Sequence, residues 1–249
     1  MAGILHENVL RGATLLTDQS ITNFGFANAT DGRTATQAGY APSSQEIRVD
    51  LGSGKAVDTL CIARHTLFSQ TCTIDIDGSN DNSTYFNVAD LTPTSDDVIY
   101  HTFTQATYRY YKIVISSIDA NVYFSDFALG TRVDLERDQK HGFIKPEFAD
   151  GDKVIANITR GQNLAGLNLQ EGLKRCRFDL FYYTASFFTT NWANIVADMK
   201  LYPVYISWDT NDTEQAFYCW PTSRIAEPRY SKNINGYYDA RLDMTGITQ

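Results

Sequence analysis

The sequence CTIDIDGSNDNSTYF, residues 72–86, concentrates side-chain oxygens of the kind that bind calcium. An EF-hand loop needs ligands at alternate positions, glycine at the sixth position and glutamate at the twelfth. Counted from Asp75, glycine falls at the fourth position and the twelfth residue is not glutamate. Asp75 and Asp77 also alternate with Ile74 and Ile76, as residues on the solvent face of a strand do. The stretch therefore predicts a strand followed by a polar hairpin turn.

A second oxygen-rich stretch, NATDGRTAT (28–36), is the candidate metal site. Side-chain oxygens of Asn28, Asp31 and Thr36 could surround the turn at Asp31–Gly32, and calcium is the ion that would suit them. Gly32 also permits the positive φ of an ordinary tight turn. The sequence leaves both interpretations open, and it indicates no other cofactor.

The segment ITNFGFAN (21–28) places two phenylalanines around a glycine, between stretches that resemble strands. Aromatic side chains in loops stack on sugar faces or insert into partner proteins. One or both rings could instead fill the end of a hydrophobic core. The predicted ligand-binding residues come from this segment and from the tip of the hairpin predicted at residues 72–86. They are Asn23, Phe24, Phe26, Asn80, Asn82 and Tyr85.

Catalytic chemistry finds little support in the sequence. Nucleophilic catalysis needs a serine or cysteine beside a histidine base, and the histidines at positions 6, 65, 101 and 141 are scattered. His65 follows a strand-like segment, where a hydrogen-bonded structural histidine is the simpler interpretation. The sequence lacks the serine-hydrolase, zinc-protease, P-loop and dinucleotide motifs. We therefore predict no catalytic residues and a protein that is not an enzyme.

Charge and hydropathy narrow the classes of partner. The formal net charge is -8 and no cluster of lysine and arginine occurs, which argues against nucleic-acid binding. No apolar run approaches the ~18 residues of a membrane span, and residues 1–12 lack the pattern of a signal peptide. The four cysteines form no CxxC pair. Cys61 and Cys72 could lie on neighbouring strands, but a cytosolic origin would favour free, buried thiols, which we expect.

Periodicity assigns the first half to antiparallel β structure. Alternating apolar residues predict strands at 46–52, 58–65, 71–78, 109–116 and 122–130. Helical periodicity is nearly absent before residue 135, which indicates a β-sandwich over residues 1–133. The polar stretch 134–150, with its glycines and proline, is interpreted as an ordered connector between domains.

Residues 151–249 form a different pattern, predicted to be a small α+β domain. Strands are expected at 176–185, 203–209, 215–221 and 236–247, with a polar turn at 210–214. Trp192, Ile195, Val196 and Met199 share one face of a predicted helix over 189–200. Thr190 or Asn191 is the expected N-cap of this helix. The protein as a whole is therefore predicted to be mainly β.

With these strands placed, residues 1–133 resemble a discoidin-type (coagulation-factor type C) domain, a galactose-binding-like jelly-roll sandwich. The resemblance rests on NVLRGATL, ATDGRTAT, IRVDLGSGKAVDTLCI, TIDIDGSNDNSTYFNV and YRYYKIVIS, which occur in the family's order. The family's usual tryptophan after the Asp-Gly element is missing, and Tyr40 stands nearest to its place. The terminal disulfide of extracellular members is missing too, which fits a domain that folds in a cytosol.

The combination of the two halves is similar to bacteriophage tail-tip proteins. The segments LCIARHTLFSQTCTIDIDGSND and RYYKIVISSIDANVYFSDFALGTRVDLER resemble discoidin-like modules of such proteins. Residues 150–249 are similar, more loosely, to the hub-type domains of distal tail or baseplate components. The resemblance implies a structural protein of the virion tail, made in the host cytoplasm, whose C-terminal domain forms a ring.

Two functions follow from these resemblances. In the first, the C-terminal ring surrounds the tail axis while the sandwich contacts other tail proteins or a cell-surface glycan. In the second, the chain is a non-catalytic carbohydrate-binding module, with or without calcium, whose site is built from the loops around Asn23–Phe26, Asp31–Thr36 and Asn80–Tyr85. The first is the leading prediction from sequence.

Overall fold

The computed structural model describes residues 2–116, 119–137, 139, 143–146, 153–158, 160, 164–170, 172–208, 216–231 and 236–248. The predicted turn at 210–214 and His141 lie outside these residues. The chain is mainly β, as predicted. The strands of the first half are β1 (Gly3–Leu5), β2 (Thr14–Asp18), β3 (Ala38–Tyr40), β4 (Gln45–His65), β5 (Thr73–Ser79), β6 (Phe86–Leu91), β7 (Ile99–Ser116), β8 (Val122–Gly130) and β9 (Val133–Asp134).

Strands β2 to β8 form one antiparallel sheet that folds over on itself into a sandwich. Its order is β3-β8-β4-β7-β5-β6, with β2 paired to β4. The two predicted strands at 46–52 and 58–65 are parts of the single long strand β4. Strand β7 likewise extends well before the predicted start at 109, whereas β8 matches its predicted bounds. Sequence pattern separated β4 because a polar, glycine-containing stretch interrupts its alternation.

That stretch, residues 51–54, is where the sheet bends. The pairing of β4 with β7 shifts between Asp50–Tyr110 and Lys55–Tyr108. Gly52 has a φ of 75°, a conformation that glycine adopts without steric cost. The Tyr111 hydroxyl donates to the Lys55 carbonyl oxygen at 3.0 Å and secures the corner. We call residues 51–54 and 108–109 the bend.

The bend divides the sheet into two layers that enclose a common core. The open layer contains β2, residues 45–50, residues 110–116, β5 and β6. The docked layer contains β3, β8, residues 55–65 and residues 99–108. Inward side chains of both layers belong to one hydrophobic cluster, among them Ile47, Ile113, Ile62 and Phe127. Burying each such side chain contributes about 1.5–3 kcal/mol, which drives the closure of the sheet.

The second half supplies most of another sheet and a separate hairpin. Its strands are β10 (Lys153–Ile158), β11 (Leu164–Gln170), β12 (Lys174–Thr184), β13 (Val204–Ser207), β14 (Ala216–Pro221), β15 (Arg229–Tyr230) and β16 (Tyr237–Ile247). The second sheet has the order β12-β16-β14-β13-β1-β9, with β15 on β16. Among the described strands, β10 and β11 pair only with each other, as a two-stranded sheet.

One helical segment packs on the second sheet, as predicted, but its start was predicted wrongly. It is α-helical at Ala185–Phe187, π-helical at Phe188–Trp192 and α-helical at Ala193–Met199. The Thr184 hydroxyl accepts a hydrogen bond from Phe187 N and is the N-cap. Thr190 and Asn191, the predicted caps, lie within the π-helical turn. Within the described residues, no helix is long and apolar enough to span a membrane.

Strands β1 and β9 carry both ends of the first half into the second sheet. Ile4 is paired with Ile206 of β13 on one side and with Val133 of β9 on the other. The domain limits 1–133, 134–150 and 151–249 stay a prediction. The structure adds that residues 3–5 are built into the sheet of the second half, a long-range pairing for which local sequence carries no signal.

The described part of the connector runs along β12. The Glu136 carboxylate accepts from Thr184 N at 2.7 Å, and the Arg137 guanidinium donates to the Tyr182 carbonyl oxygen at 2.9 Å. The Gln139 side chain accepts from Asp179 N at 3.2 Å. These bonds occupy backbone groups on the outermost strand of the sheet, which would otherwise invite pairing with another chain.

Candidate functional site

The acidic stretch around residue 78 forms the hairpin that the sequence predicts. Strands β5 and β6 are antiparallel, and the residues between them form the turn. The Asp81 carboxylate accepts from Ser83 N at 2.9 Å, Thr84 N at 2.8 Å and the Ser79 hydroxyl at 2.9 Å. These donors hold the pKa of the Asp81 carboxyl far below its usual range. Asp81 therefore stabilises the turn, as aspartates in turns commonly do.

The tip of this hairpin folds back over the outer surface of the open layer. The Tyr85 hydroxyl donates to Asn82 Oδ1 at 2.6 Å, and Lys112 Nζ lies 4.9 Å from the centre of the Tyr85 ring. Asn80 Oδ1 accepts from Arg109 N at 3.3 Å. Three predicted ligand-binding residues thus lie together beside the bend, already linked to the sandwich.

Sequence inspection missed the aromatic residues that join them there. Phe86 is 56% exposed and its ring stacks on Tyr108 with the centroids 6.4 Å apart. The Arg109 guanidinium makes two bonds of 2.8 Å to the Asp50 carboxylate and lies 4.8 Å from the centre of the Tyr110 ring. The sequence predicts a strand from Arg109 onward and assigns no role to Tyr108, which the bend brings to Phe86.

We call this region the bend surface and define it by Asn80, Tyr85, Phe86, Tyr108 and Arg109. Phe86 is half-exposed and offers an apolar face. The Asn80 amide, the Tyr85 phenol and the ion pair of Arg109 with Asp50 offer hydrogen-bond donors and acceptors. Such a combination suits a ligand with one apolar and one hydroxylated face.

The other predicted ligand loop lies at the opposite end of the sandwich. Strand β2 leads away from the bend to Asp18, whose carboxylate accepts from Phe26 N at 2.9 Å and from the Tyr40 hydroxyl at 3.0 Å. Phe26 is 3% exposed and packs against Phe127, so this ring fills the core and offers no stacking surface. Phe24 is 36% exposed and contacts Tyr123 edge to face, and Asn23 beside it is exposed.

The predicted ligand-binding residues therefore divide into two groups. Asn80, Asn82 and Tyr85 follow the end of β5 that reaches the bend, where Ser79 pairs with Tyr110. Asn23 and Phe24 lie at the far end. A small ligand cannot contact both groups, because the strands of the sandwich separate them.

Two of the three candidate metal residues, Asp31 and Thr36, are bonded to each other, whereas Asn28 is bonded to backbone groups elsewhere in the loop. The Asp31 carboxylate accepts from Arg33 N at 2.8 Å and from the Thr36 hydroxyl at 2.8 Å. The Asn28 amide donates to the carbonyl oxygens of Asn23 at 3.2 Å and Gln37 at 3.0 Å. Gly32 has the predicted positive φ, at 76°. Asp31 thus organises a tight turn, and calcium binding here stays a prediction.

The histidine hydrogen bonds of the described residues are structural. His65 Nδ1 accepts from Leu67 N at 3.4 Å, and its Nε2 is 2.7 Å from the Asp97 carbonyl oxygen, to which it donates. Burial lowers the pKa of His65, which keeps the ring neutral. His6 Nδ1 lies 2.6 Å from the Asp198 carboxylate and joins the first strand to the helical segment. The four cysteines are free and buried, as predicted.

One buried carboxyl lies between the sandwich and the second sheet. Asp126 of β8 is fully buried, and its Oδ2 accepts from the Tyr205 hydroxyl at 2.7 Å. Arg11 Nη2 is 4.0 Å from Oδ1. Burial raises the pKa of the Asp126 carboxyl to about 6, an effect that the Tyr205 bond and Arg11 oppose. The group has no access to solvent, so we assign it to the interface rather than to a binding site.

Solved carbohydrate-binding structures are similar to about half of this chain. Chitosan-binding module 1 of a chitosanase/glucanase from Paenibacillus sp. IK-5 is 22% identical over 50% of this chain and 98% of its own, with a TM-score of 0.42. The CBM32 of AlyQ, in complex with 4,5-unsaturated mannuronic acid, is 25% identical over 47% of this chain and 92% of its own, with a TM-score of 0.40.

A CBM32 module from Clostridium perfringens, in complex with GalNAc-β-1,3-galactose, is 12% identical over 50% of this chain and 99% of its own, with a TM-score of 0.42. No family model matches this sequence, and no curated protein sequence matches it either. Similarity at this level does not identify a ligand of this chain. The predicted role in a phage tail stays a prediction.

Proposed function

We propose that this chain is a non-catalytic saccharide-binding protein whose sandwich recognises a glycan at the bend surface. The observation that carries the proposal is the stack of Phe86 on Tyr108, which leaves Phe86 56% exposed beside fixed polar groups. An exposed aromatic ring beside fixed hydrogen-bonding groups suits a sugar, which has one apolar and one hydroxylated face.

The polar groups of the bend surface are held in place before any ligand arrives. Arg109 is fixed by two bonds to Asp50, and its backbone N is fixed by the Asn80 side chain. Ligands lose less affinity to ordering when the groups that bind them are already positioned. The bend surface is therefore suited to bind a sugar residue without rearrangement of the strands.

A glycan array followed by calorimetric titration of the best-bound glycan tests the proposal. We expect Phe86→Ala to weaken binding roughly tenfold, because the stacking face is lost. Phe68→Ala is the matched control, since Phe68 is 51% exposed in the turn after β4, at the far end of the sandwich. Equal binding by the wild type and Phe86→Ala, or no binding to any glycan, would overturn the proposal.

A second candidate function is the predicted structural role in a phage tail, with the C-terminal half forming a ring. The observation that favours self-association is the hairpin of β10 and β11, which pairs with no other described strand. Two-stranded hairpins are marginally stable in water, so a partner surface would stabilise this one. Pairing through β12 is less suitable, because the connector already occupies backbone groups of that strand.

Light scattering of the intact chain tests the second candidate. A closed oligomer is expected, and Ile155→Lys, at a 37% exposed position of the hairpin, should dissociate it. Leu16→Lys, at a 43% exposed position of β2, is the control that should leave the oligomer intact. A monomer at every concentration would exclude a ring formed by this chain alone and would leave the glycan proposal standing.

A further inference from the structure

A cleft of about 550 Å³ lies in the second half of the chain. One side is the helical segment and the turn that follows it, and the other is the end of β14 with the loop at 222–227. A volume of this size is typical of sites for small molecules. The sequence predicts a helix face at Trp192 and Met199 and a strand at Trp220, and it does not predict the cleft between them.

The floor of the cleft is apolar and closely packed. Trp192 and Met199 are 8% and 4% exposed and belong to the core of the second sheet. Trp220 forms part of the wall and is only half-buried. Two indole rings and a thioether give a largely apolar surface, on which an aromatic or aliphatic ligand body can be buried, and each indole adds a single N–H donor.

The rim of the cleft carries two cations and one anion. Lys200 follows the helical segment, and Arg224 and Glu227 belong to the loop, with 3.5 Å between Arg224 Nη2 and Glu227 Oε1. All three side chains are exposed. The net charge of the rim is positive in a chain whose formal net charge is -8. A cationic ligand is therefore disfavoured and an anionic group is favoured.

We propose that this cleft binds a small molecule in which an aromatic or branched aliphatic body is joined to a carboxylate. The body lies on Trp192 and Met199 beside Trp220, and the carboxylate meets Arg224 and Lys200 at the rim. Burial of the apolar body supplies most of the affinity, and the rim charges select the anion. This site is independent of the bend surface and of the proposed glycan recognition.

The test uses naphthalene-2-carboxylate and its neutral analogue naphthalene-2-carboxamide, titrated into the intact chain by calorimetry. We expect one-to-one binding of both, with the carboxylate bound about threefold to fivefold more tightly, as befits an interaction with solvent-exposed charges. Arg224→Gln should remove that preference. Glu227→Gln should enlarge it, because the only anion of the rim is lost. Neither variant should change binding of the carboxamide.

Two further variants separate the cleft from adventitious binding elsewhere. Ala226→Trp places a bulky ring at an exposed position of the lining and should abolish binding of both compounds. Ala120→Trp, at an exposed position of the sandwich, is the matched control and should bind like the wild type. Unchanged melting temperatures show that both variants are folded. No binding to the wild type, equal binding of the two compounds, or binding that survives in Ala226→Trp would overturn the proposal.

Discussion

The two outer faces of the sandwich come from one sheet, but one is covered by the second sheet and the other faces solvent. On the docked layer, Cys61, Ala63 and Ala128 pack with Tyr205 and Tyr218 of the second sheet in a hydrophobic cluster of their own. On the open layer, most of the equivalent outward positions of β4, β5 and β7 are charged or polar and partly exposed, as in the pair of Lys112 with Asp77 at 2.8 Å. Both layers have the same pleat and the same core behind them.

The strands of the two layers are alike, but the side chains on their outer faces differ. Those side chains therefore decide on which layer the second sheet packs. Residues 60–63 are apolar on both faces, which is typical of a strand covered on both sides. Residues 46–50 alternate between apolar and charged residues, as expected for a strand with one face in water. The docked face also uses small residues, which let the second sheet approach closely.

The largest expected effect comes from placing a charge on each face in turn. Ala128 is 2% exposed on the docked face, and Ala128→Arg should lower the free energy of unfolding by about 3–5 kcal/mol, because a buried charge without a partner is costly. Val114→Arg, outward on the open layer, should change it by less than about 0.5 kcal/mol. Chemical denaturation measures both, and similar effects would contradict the distinction between the faces.

A smaller effect is expected from the pH dependence of the docked face. Burial raises the pKa of Asp126 in the folded protein to about 6. The stability that the protonated carboxyl contributes is therefore fully present below the unfolded pKa and is lost as pH rises through about 6. Relative to Asp126→Asn, the wild type should lose roughly 3 kcal/mol of unfolding free energy between pH 3.5 and pH 7. The groups facing Asp126 are Arg11, Tyr205, Tyr218 and Asp31.

Denaturant titrations of both proteins across that range measure the difference. The control is Asp77→Asn, in the open layer, where a paired carboxylate faces partly exposed surroundings. A difference between the wild type and Asp126→Asn that is independent of pH would show that the buried carboxyl does not titrate in the folded protein.

The smallest effect is expected from the ion pair of the open layer. Lys112→Gln removes the partner of Asp77 and the cation that faces the Tyr85 ring. We expect a loss of less than about 1 kcal/mol, because partly exposed pairs gain little over hydration, and a smaller loss at high salt. Thermal unfolding at two ionic strengths measures this. A larger loss would show that the hairpin tip is essential to the stability of the open layer.

Alternation and turn chemistry predict β4, β5, β7 and β8 of the sandwich, but not the short strands β2, β3 and β6. The strand at Val122–Gly130 was predicted with its bounds, and Asp81 organises the turn where the hairpin was expected. The sequence does not show which of Phe24 and Phe26 is buried, because both rings flank the same glycine. The Asp18 carboxylate, through its bond to Phe26 N, directs one ring inward, and that contact is invisible locally.

Features that depend on distant parts of the chain were the ones that sequence inspection missed. The bend brings Phe86 to Tyr108, and a loop at 222–227 closes the cleft over Trp220. Neither arrangement has a periodicity of its own. The early start of the helical segment was missed because Thr190 and Asn191 are as plausible as caps by residue type as Thr184 is.

The pairing of β1 with β13 sets an order of events during synthesis. Ile4 can pair with Ile206 only after about 200 further residues have been synthesised. At ~5–20 residues per second, that synthesis takes roughly 10–40 s. During that interval the sandwich can close, but its face of Cys61, Ala63 and Ala128 remains uncovered. The nascent chain is therefore expected to keep this apolar surface exposed to solvent until the last strands of the second sheet emerge.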